Sequence, residues 1–302
     1  MSDDVPFNRL APAAGTVERL TPGLRRLMAA NGGPFTFTGT CSYIVGHGRV
    51  AIVDPGPDDP AHIAALLDAV KGETVTAVIV THTHRDHSPA ASAIAIATGA
   101  KTYGAGPHRS ARPRREGEPS ALDAGADLDF VPNVRLSDGD TLDGPAWRLR
   151  AVATPGHCAN HLAFSLVGDD VLLSGDHVMA WSTSIVAPPD GAMGDYMASL
   201  HKLLGRTETR YFPGHGGPVE DPQRFVGALI RHRRMRETSI LQALGEGAST
   251  IPALAAKVYV GLQPALIGAA ALNTFAHLED LVEQGRVATE GPPVFEGSYW
   301  LV

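Results

Sequence analysis

Cysteine is scarce in this chain, and the two present, Cys41 and Cys158, stand in no paired spacing. That excludes a disulfide framework and suits a reducing compartment. Long apolar runs are missing as well, since no stretch reaches the roughly 18 residues that a membrane-spanning helix needs. Residues 1–10 are acidic and lack the basic and apolar regions of a signal peptide. An excess of positive charge is also absent: the net charge of −7 gives no general pull toward nucleic acid or anionic membrane. Aromatic residues make up 6% of the chain, so stacking platforms for single strands are few. The expectation is a cytoplasmic protein with no membrane partner.

With 302 residues, 44% of them hydrophobic, the chain has room for one large domain or two around a buried core. Its densest chemistry is the run Thr81-His82-Thr83-His84-Arg85-Asp86-His87, directly after the apolar residues 75–80. Three imidazoles and a carboxylate match the donors that a borderline divalent cation such as zinc prefers. A helix would separate His82 from His84, because facing partners on a helix lie three or four apart. A strand end opening into a tight loop would let both rings converge, because residues two apart share a face.

Three further apolar runs end in the same grammar. Residues 149–154 lead into Pro155-Gly156-His157, residues 171–173 into Ser174-Gly175-Asp176-His177, and residues 211–212 into Pro213-Gly214-His215. Glycine permits the sharp turn that swings the next side chain over a sheet edge. Loops on rigid strand ends are common places for sites. One such histidine is ordinarily a core or surface residue; the repetition points to a shared centre.

The constellation resembles the metallo-β-lactamase superfamily of metal-dependent hydrolases. The matching motifs are residues 81–87, Gly156-His157, Gly175-Asp176, Gly214-His215 and Asp54-Pro55-Gly56, spanning roughly residues 30 to 220. The resemblance implies an α+β fold, an αββα sandwich with the site at one edge between two sheets. It implies two divalent metal ions, with zinc, iron and manganese all fitting. His82, His84 and His157 would hold one metal, Asp86, His87 and His215 the other, and Asp176 would bridge them. Asp86 and Asp176 are the catalytic candidates. The implied reaction is hydrolysis of an ester, thioester or phosphodiester by a metal-bound hydroxide, formed because the cations lower the pKa of a shared water toward about 7. Asp54, in this family, supports the metal loops.

Around the centre, Asn160, His161, His177, Ser182 and Thr183 are candidates for lining the substrate, and His161 and His177 could instead orient a ligand. Residues 181–184 and 187–191 read as a stiff polar loop at the substrate entrance, or more plainly as a surface connection. His47, His62, His108, His201, His232 and His277 are not expected to be ligands. Cys158 follows a ligand, and its reactivity depends on exposure and pKa.

Residues 15–55 read as a β-meander, 60–70 and 196–204 as helices, and 88–98 as a helix that Ser88 could cap ahead of Pro89. Residues 104–127 read as a long polar loop, and 130–175 as strands. After Pro218 helical patterns dominate: 224–244, 251–258 and 264–284, then two short strands within 285–301. This resembles a winged-helix module, dividing the chain into a catalytic domain at 1–221 and a winged-helix-like domain at 222–302; a helical extension covering the catalytic domain is the plainer reading. Residues 222–302 hold seven Lys+Arg and seven Asp+Glu, a balance that weakens a simple duplex-binding role. Arg109, Arg112, Arg114 and Arg115, and Arg231, Arg233, Arg234 and Arg236, could touch phosphates. Their plainer reading is a solvated face near Glu116, Glu118 and Glu237.

Three functions stay open on sequence. One is a binuclear hydrolase of a small-molecule ester, thioester or lactone, broadly like glyoxalase II, although that enzyme's glutathione-binding residues cannot be placed in 222–302. The second is a single-strand-specific endoribonuclease, because residues 174–177, 181–189 and 195–200 resemble the branch with the β-lactamase-like protein 2 group, some of whose members cleave RNA. The third is a metal-stabilised binding protein without catalysis, although seven candidate ligands exceed the four of a closed structural site. An aspartate at the bridging position argues against true β-lactamase activity. A homodimer stays open as the assembly. His84→Ala is expected to lose metal and activity together; metal analysis that still finds two ions per chain would defeat the ligand assignment.

Overall fold

The computed structural model describes residues 5–115, 118 and 125–302. Four antiparallel strands come first: β1 (Glu18–Thr21), β2 (Leu24–Met28), β3 (Cys41–Val45) and β4 (Arg49–Val53). Helix α1 (Pro60–Ala69) leads to β5 (Thr74–Ile79), α2 (Ala90–Thr98) to β6 (Lys101–Gly104), and β7 (Val134–Arg135) completes a seven-stranded sheet in chain order. Strands β4 to β7 run parallel. A second, five-stranded sheet holds β8 (Thr141–Gly144), β9 (Trp147–Ala153), β10 (Leu162–Leu166), β11 (Val171–Gly175) and β12 (Arg210–Pro213), with α3 (Met193–Leu204) carrying the chain from β11 to β12.

Alternation along the strands builds the layers. In β4, Ala51 and Val53 face the second sheet while Val50 and Ile52 face α1 and α2; β5 repeats this with Ala77 and Ile79 against Val78. In β11, Val171 and Leu173 enter the core between the sheets while Leu172 meets α3. Strands buried on both faces need apolar side chains at consecutive positions, which is why these segments read as unbroken apolar runs. The result is the αββα sandwich that the motifs imply.

The C-terminal part comprises α4 (Pro222–Leu244), β13 (Ser249–Thr250), α5 (Ile251–Val258), a 3-10 turn at Pro264–Leu266, α6 (Ile267–Glu283) and the strands β14 (Val287–Thr289) and β15 (Ser298–Leu301). β15 pairs with both β13 and β14. Helix α4 serves two cores. Its first half buries Phe225, Val226 and Leu229 with α3 against the second sheet, and its last turns bury Ile240 and Leu244 with α5 and α6. Asp221 starts it, its carboxylate accepting from Arg224 N at 3.2 Å, with Pro222 at the first helical position. A module of three helices and a small sheet is present, and α4 also covers the second sheet.

One local expectation changes. Ser88 does not cap α2, which starts at Ala90 without a side-chain cap; its hydroxyl instead donates to Asp127 at 2.5 Å. That bond ties the loop after β5 to the segment at 125–127. Part of the expected polar loop, including Glu116, lies outside the described residues. On the described part, Arg112 Nε donates to Glu279 of α6 at 2.8 Å, and Arg115 also reaches Glu279, pinning the loop to the C-terminal module. No helix among the described residues is long and apolar enough to cross a membrane.

Candidate metal centre

Strand direction assembles the site. β9 and β11 both pair antiparallel with β10, so they run the same way, and β12 runs parallel to β11. β4 and β5 are likewise parallel. The loops that leave the ends of these five strands carry Asp54, His82–His87, His157, Asp176 and His215.

All seven proposed ligands come together. His82 Nε2 and His157 Nε2 lie 3.1 and 3.0 Å from His84 Nδ1. Ligand nitrogens on a tetrahedral zinc, with bonds of about 2.0 Å, stand about 3.3 Å apart, so this spacing is that of a coordination shell. Asp86 Oδ2 lies 3.1 Å from His215 Nε2 and 3.4 Å from His87 Nε2. Asp176 stands between the two groups, 3.2 Å from His215 Nε2, 3.5 Å from His87 Nε2 and 3.8 Å from His157 Nε2. Each trio could hold one ion.

The outward nitrogens test the fit. His157 Nδ1 donates to Ile185 O at 2.6 Å and His215 Nδ1 to Gly39 O at 3.1 Å. A carbonyl only accepts, so both rings carry their proton on Nδ1 and, when neutral, present a bare Nε2 to the centre. His87 Nδ1 meets Asp54 at 2.9 Å, His84 Nε2 meets Asp190 at 2.7 Å, and His82 Nδ1 meets the Thr81 hydroxyl at 3.0 Å. Five imidazoles thus each spend one nitrogen on an oxygen and turn the other inward, as metal-ligating histidines do. Among the described residues, His87 Nε2 and Asp176 Oδ1 are buried with no hydrogen-bond partner. The donor set fits two divalent cations.

Asp54 and the glycines make this convergence possible. Asp54 adopts φ of 50°, and its buried carboxylate accepts from Thr81 N at 2.7 Å and Thr81 Oγ1 at 2.8 Å as well as meeting His87. It supports the loop and does not face the centre. A Cβ on Gly214 would fall 2.3 Å from Asp176 Oδ1 and 2.6 Å from His87 Cε1, so only glycine lets this backbone pass.

Charge divides the protons. Burial disfavours the charged form of His215, yet Asp176 and then Asp86 outweigh it and raise the imidazole to about 10. His87, against the same burial, is held well above its usual range by Asp86, Asp176 and Asp54. His82 moves well below its usual range through burial and the neighbouring His87 and His84. Burial alone would raise Asp86 and Asp176, but His87 and His215 pull both carboxyls well below the usual range.

The remaining candidates separate. His161 is buried, accepts from Asp176 N at 3.1 Å through Nε2 and meets Thr154 Oγ1 at 2.8 Å, so it steadies Asp176 from behind instead of lining a substrate surface. His177 is buried against Tyr196 with neither nitrogen bonded among the described residues, and burial pushes it down to about 3. Asn160 is buried and committed to Thr83 and Pro107. Ser182 and Thr183 are half-buried and line a cavity. Cys41 and Cys158 are free and buried, and burial pushes the Cys158 thiol well up, so it is no nucleophile. Among the described residues, none of the histidines set aside as non-ligands joins the two trios. His62 meets Ser42 at 2.9 Å, and His108 meets Thr83 at 3.0 Å.

Most of the basic clusters are already engaged. Arg109 donates to Ala159 O, Arg112 and Arg115 are paired with Glu279, and Arg233 is buried, donating to Asn273 and Ser184. Arg236 donates to Val258 O and sits over the Tyr259 ring. Asp190 is the contributor that sequence reading missed. In Pro188-Pro189-Asp190-Gly191 it reads as a turn residue, and only its approach to His84 across the fold reveals it.

Fold and site together define a class: αββα sandwich proteins with a centre of histidines and aspartates at one edge, built for divalent metal. The chain belongs to the metallo-beta-lactamase superfamily, whose family model matches residues 35–215. A beta-lactamase associated winged helix domain matches residues 250–294. Similar proteins include a Beta-lactamase-like protein 2 homolog from Drosophila melanogaster, 29% identical over 280 residues, covering 90% of this chain and 91% of that protein. An atrochrysone carboxyl ACP thioesterase from Passalora fulva is 28% identical over 305 residues, covering 95% of this chain and 84% of that protein. Among solved structures, a metallo-beta-lactamase family protein from Thermus thermophilus superposes with a TM-score of 0.74 at 27% identity, covering 94% of this chain and 100% of that one. The superfamily includes hydrolases, and its members typically bind divalent metals.

Two outcomes follow from this geometry. Asp190→Asn should weaken metal retention by about 10- to 100-fold without loss of fold, because it loosens a ligand's outer support; chelator competition that finds unchanged affinity would remove Asp190 from this role. His215 carries a proton below about 10 and must release it to ligate, so metal loading should tighten as pH rises. Competition titrations at about pH 6 and about pH 8 should show weaker binding at the lower pH, and equal affinities would contradict that linkage.

Proposed function

We propose that the protein is a binuclear metal-dependent hydrolase of ester bonds, with thioesters as its preferred class. The observation that carries this is the position of Asp176, within 3.8 Å of imidazole nitrogens from both trios. His82, His84 and His157 hold one cation, and Asp86, His87 and His215 hold the other. Zinc is the proposed metal. When bound, the cations lower the pKa of a nearby water and polarise the scissile carbonyl.

The chain's own groups set the rest. Asp176 lies between the two positions and offsets part of their charge. Asp86 is the candidate carboxylate nearest solvent, its side chain 25% exposed against 9% for Asp176, so the proton released from water leaves past it to solvent. Water oxygen bonds to the acyl carbon, the C–S bond breaks, and the thiol leaves with a proton while the acid is formed. The similarity to a protein named as an ACP thioesterase supports the thioester class. The engaged arginines support a small acyl substrate over a polynucleotide. A cytoplasmic site of action is supported by two free, buried cysteines. The unit that cuts bonds is residues 1–221, and residues 222–302 complete its substrate side.

The test is metal analysis of the purified protein, then a panel of thioesters, esters, lactones, phosphodiesters and short single-stranded RNA. Two metals per chain and thioester turnover are expected, and Asp176→Asn should lower both metal occupancy and turnover, the latter by about 100-fold or more, as for loss of a group central to transition-state charge. Cleavage of RNA with inert thioesters would replace this reading with the nuclease; metal binding with no turnover of any substrate would favour a binding protein.

A further inference from the structure

A cavity of about 130 Å³ lies between the loop that follows Asp176 and the C-terminal module. Met179, Trp181 and Ile185 form one wall, and Tyr259, Leu266 and Ala269 form the other. Phe35, from the loop before β3, closes one side. Among the described residues, no charged side chain lines it. Its polar lining is small and partly spoken for: Asn273 accepts from Val186 N and Arg233 Nη1 and donates to Ala269 O.

This slot adjoins the metal centre through its own wall. Ile185 lines it, and its carbonyl accepts from His157 Nδ1. Trp181 lines it while stacking on Phe37 at 5.0 Å and lying against Gly216, the residue after His215. The wall residues therefore back onto one ligand from each trio.

We propose that the slot seats the apolar acyl group of the substrate, with the size of a single six-membered ring or a chain of about six carbons. A protein cavity of about 150 Å³ lined by apolar side chains takes up benzene, so 130 Å³ matches a group of that scale. A phosphodiester backbone would meet no cation here, and leaving its charge unpaired away from water is costly. A nucleobase would find the Asn273 oxygen already accepting twice. This assignment rests on the hydrolase reading and adds the shape and chemistry of the group selected.

The experiment uses the metal-loaded full chain and thioesters of one small thiol, from acetyl to decanoyl and including benzoyl. kcat/KM should rise roughly fourfold per methylene up to about six carbons and then level or fall, the gain per methylene following from burial of its surface. Ala269→Phe, which fills the slot from a half-buried helix position, should lower kcat/KM for hexanoyl and benzoyl thioesters by about 10- to 100-fold, from loss of that buried area. Acetyl thioester should stay within about twofold, because it does not reach the slot, and metal content should be unchanged. Leu266→Ala should shift the optimum to longer chains.

A second readout is independent of turnover: hexanoate and benzoate should change Trp181 fluorescence, with Trp181→Phe abolishing the signal and Ala269→Phe weakening it. Indifference to chain length, equal loss on acetyl and hexanoyl substrates, or displacement of hexanoate by a short single-stranded RNA would overturn the slot assignment. If no thioester is cleaved, the thioester reading fails by itself. The fluorescence titration then decides the slot alone: a shift keeps it as an apolar-acid site, and no shift ends it.

Discussion

The carboxylate of Asp54 is the fastening on which the site depends. Held at a left-handed backbone position at the end of β4, it bonds Thr81 twice and His87 once. Those three bonds span the loop of residues 81–87, so four of the seven metal-capable side chains take their place from one buried group. Removing such a group would leave its donors unpaired in the interior, which costs more than the bonds themselves contribute. Parallel strands then bring Asp176 and His215 to the same edge, and glycine at 214 allows them to close.

Part of this arrangement was legible in the chain, and the physical reason is locality. Apolar runs ending in glycine and a ligand type state both a strand and its exit, because alternation and turn chemistry act over a few residues. The αββα sandwich, the C-terminal helices and the seven inward-facing side chains were readable in that way. Contributions made by backbone carbonyls were not. Gly39 O and Ile185 O fix the tautomers of His215 and His157, but every residue owns a carbonyl, so nothing in the chain marks these two. Asp190 was hidden because its partner His84 is 106 positions away. Ser88 illustrates competition: a serine before a proline reads as a cap, yet Asp127 offers its hydroxyl a stronger acceptor.

The two sequence units also depend on each other more than their motifs suggest. Helix α4 contributes to the core under the second sheet and to the core of the winged helix, and Glu279 of α6 receives Arg112 and Arg115 from the loop after β6. The winged helix packs against the αββα layers, and its near-neutral charge agrees with packing against protein.

The loop of residues 181–190 carries two traits at once. Trp181 and Ile185 shape the cavity, while Ile185 O and Asp190 hold His157 and His84. Variation in this segment is therefore pleiotropic: a change that reshapes the cavity also disturbs the outer support of two metal-capable imidazoles. Leu266 and Ala269, across the gap, anchor no imidazole. Replacements that reshape the cavity alone therefore fall on that helical side, and the loop is comparatively frozen.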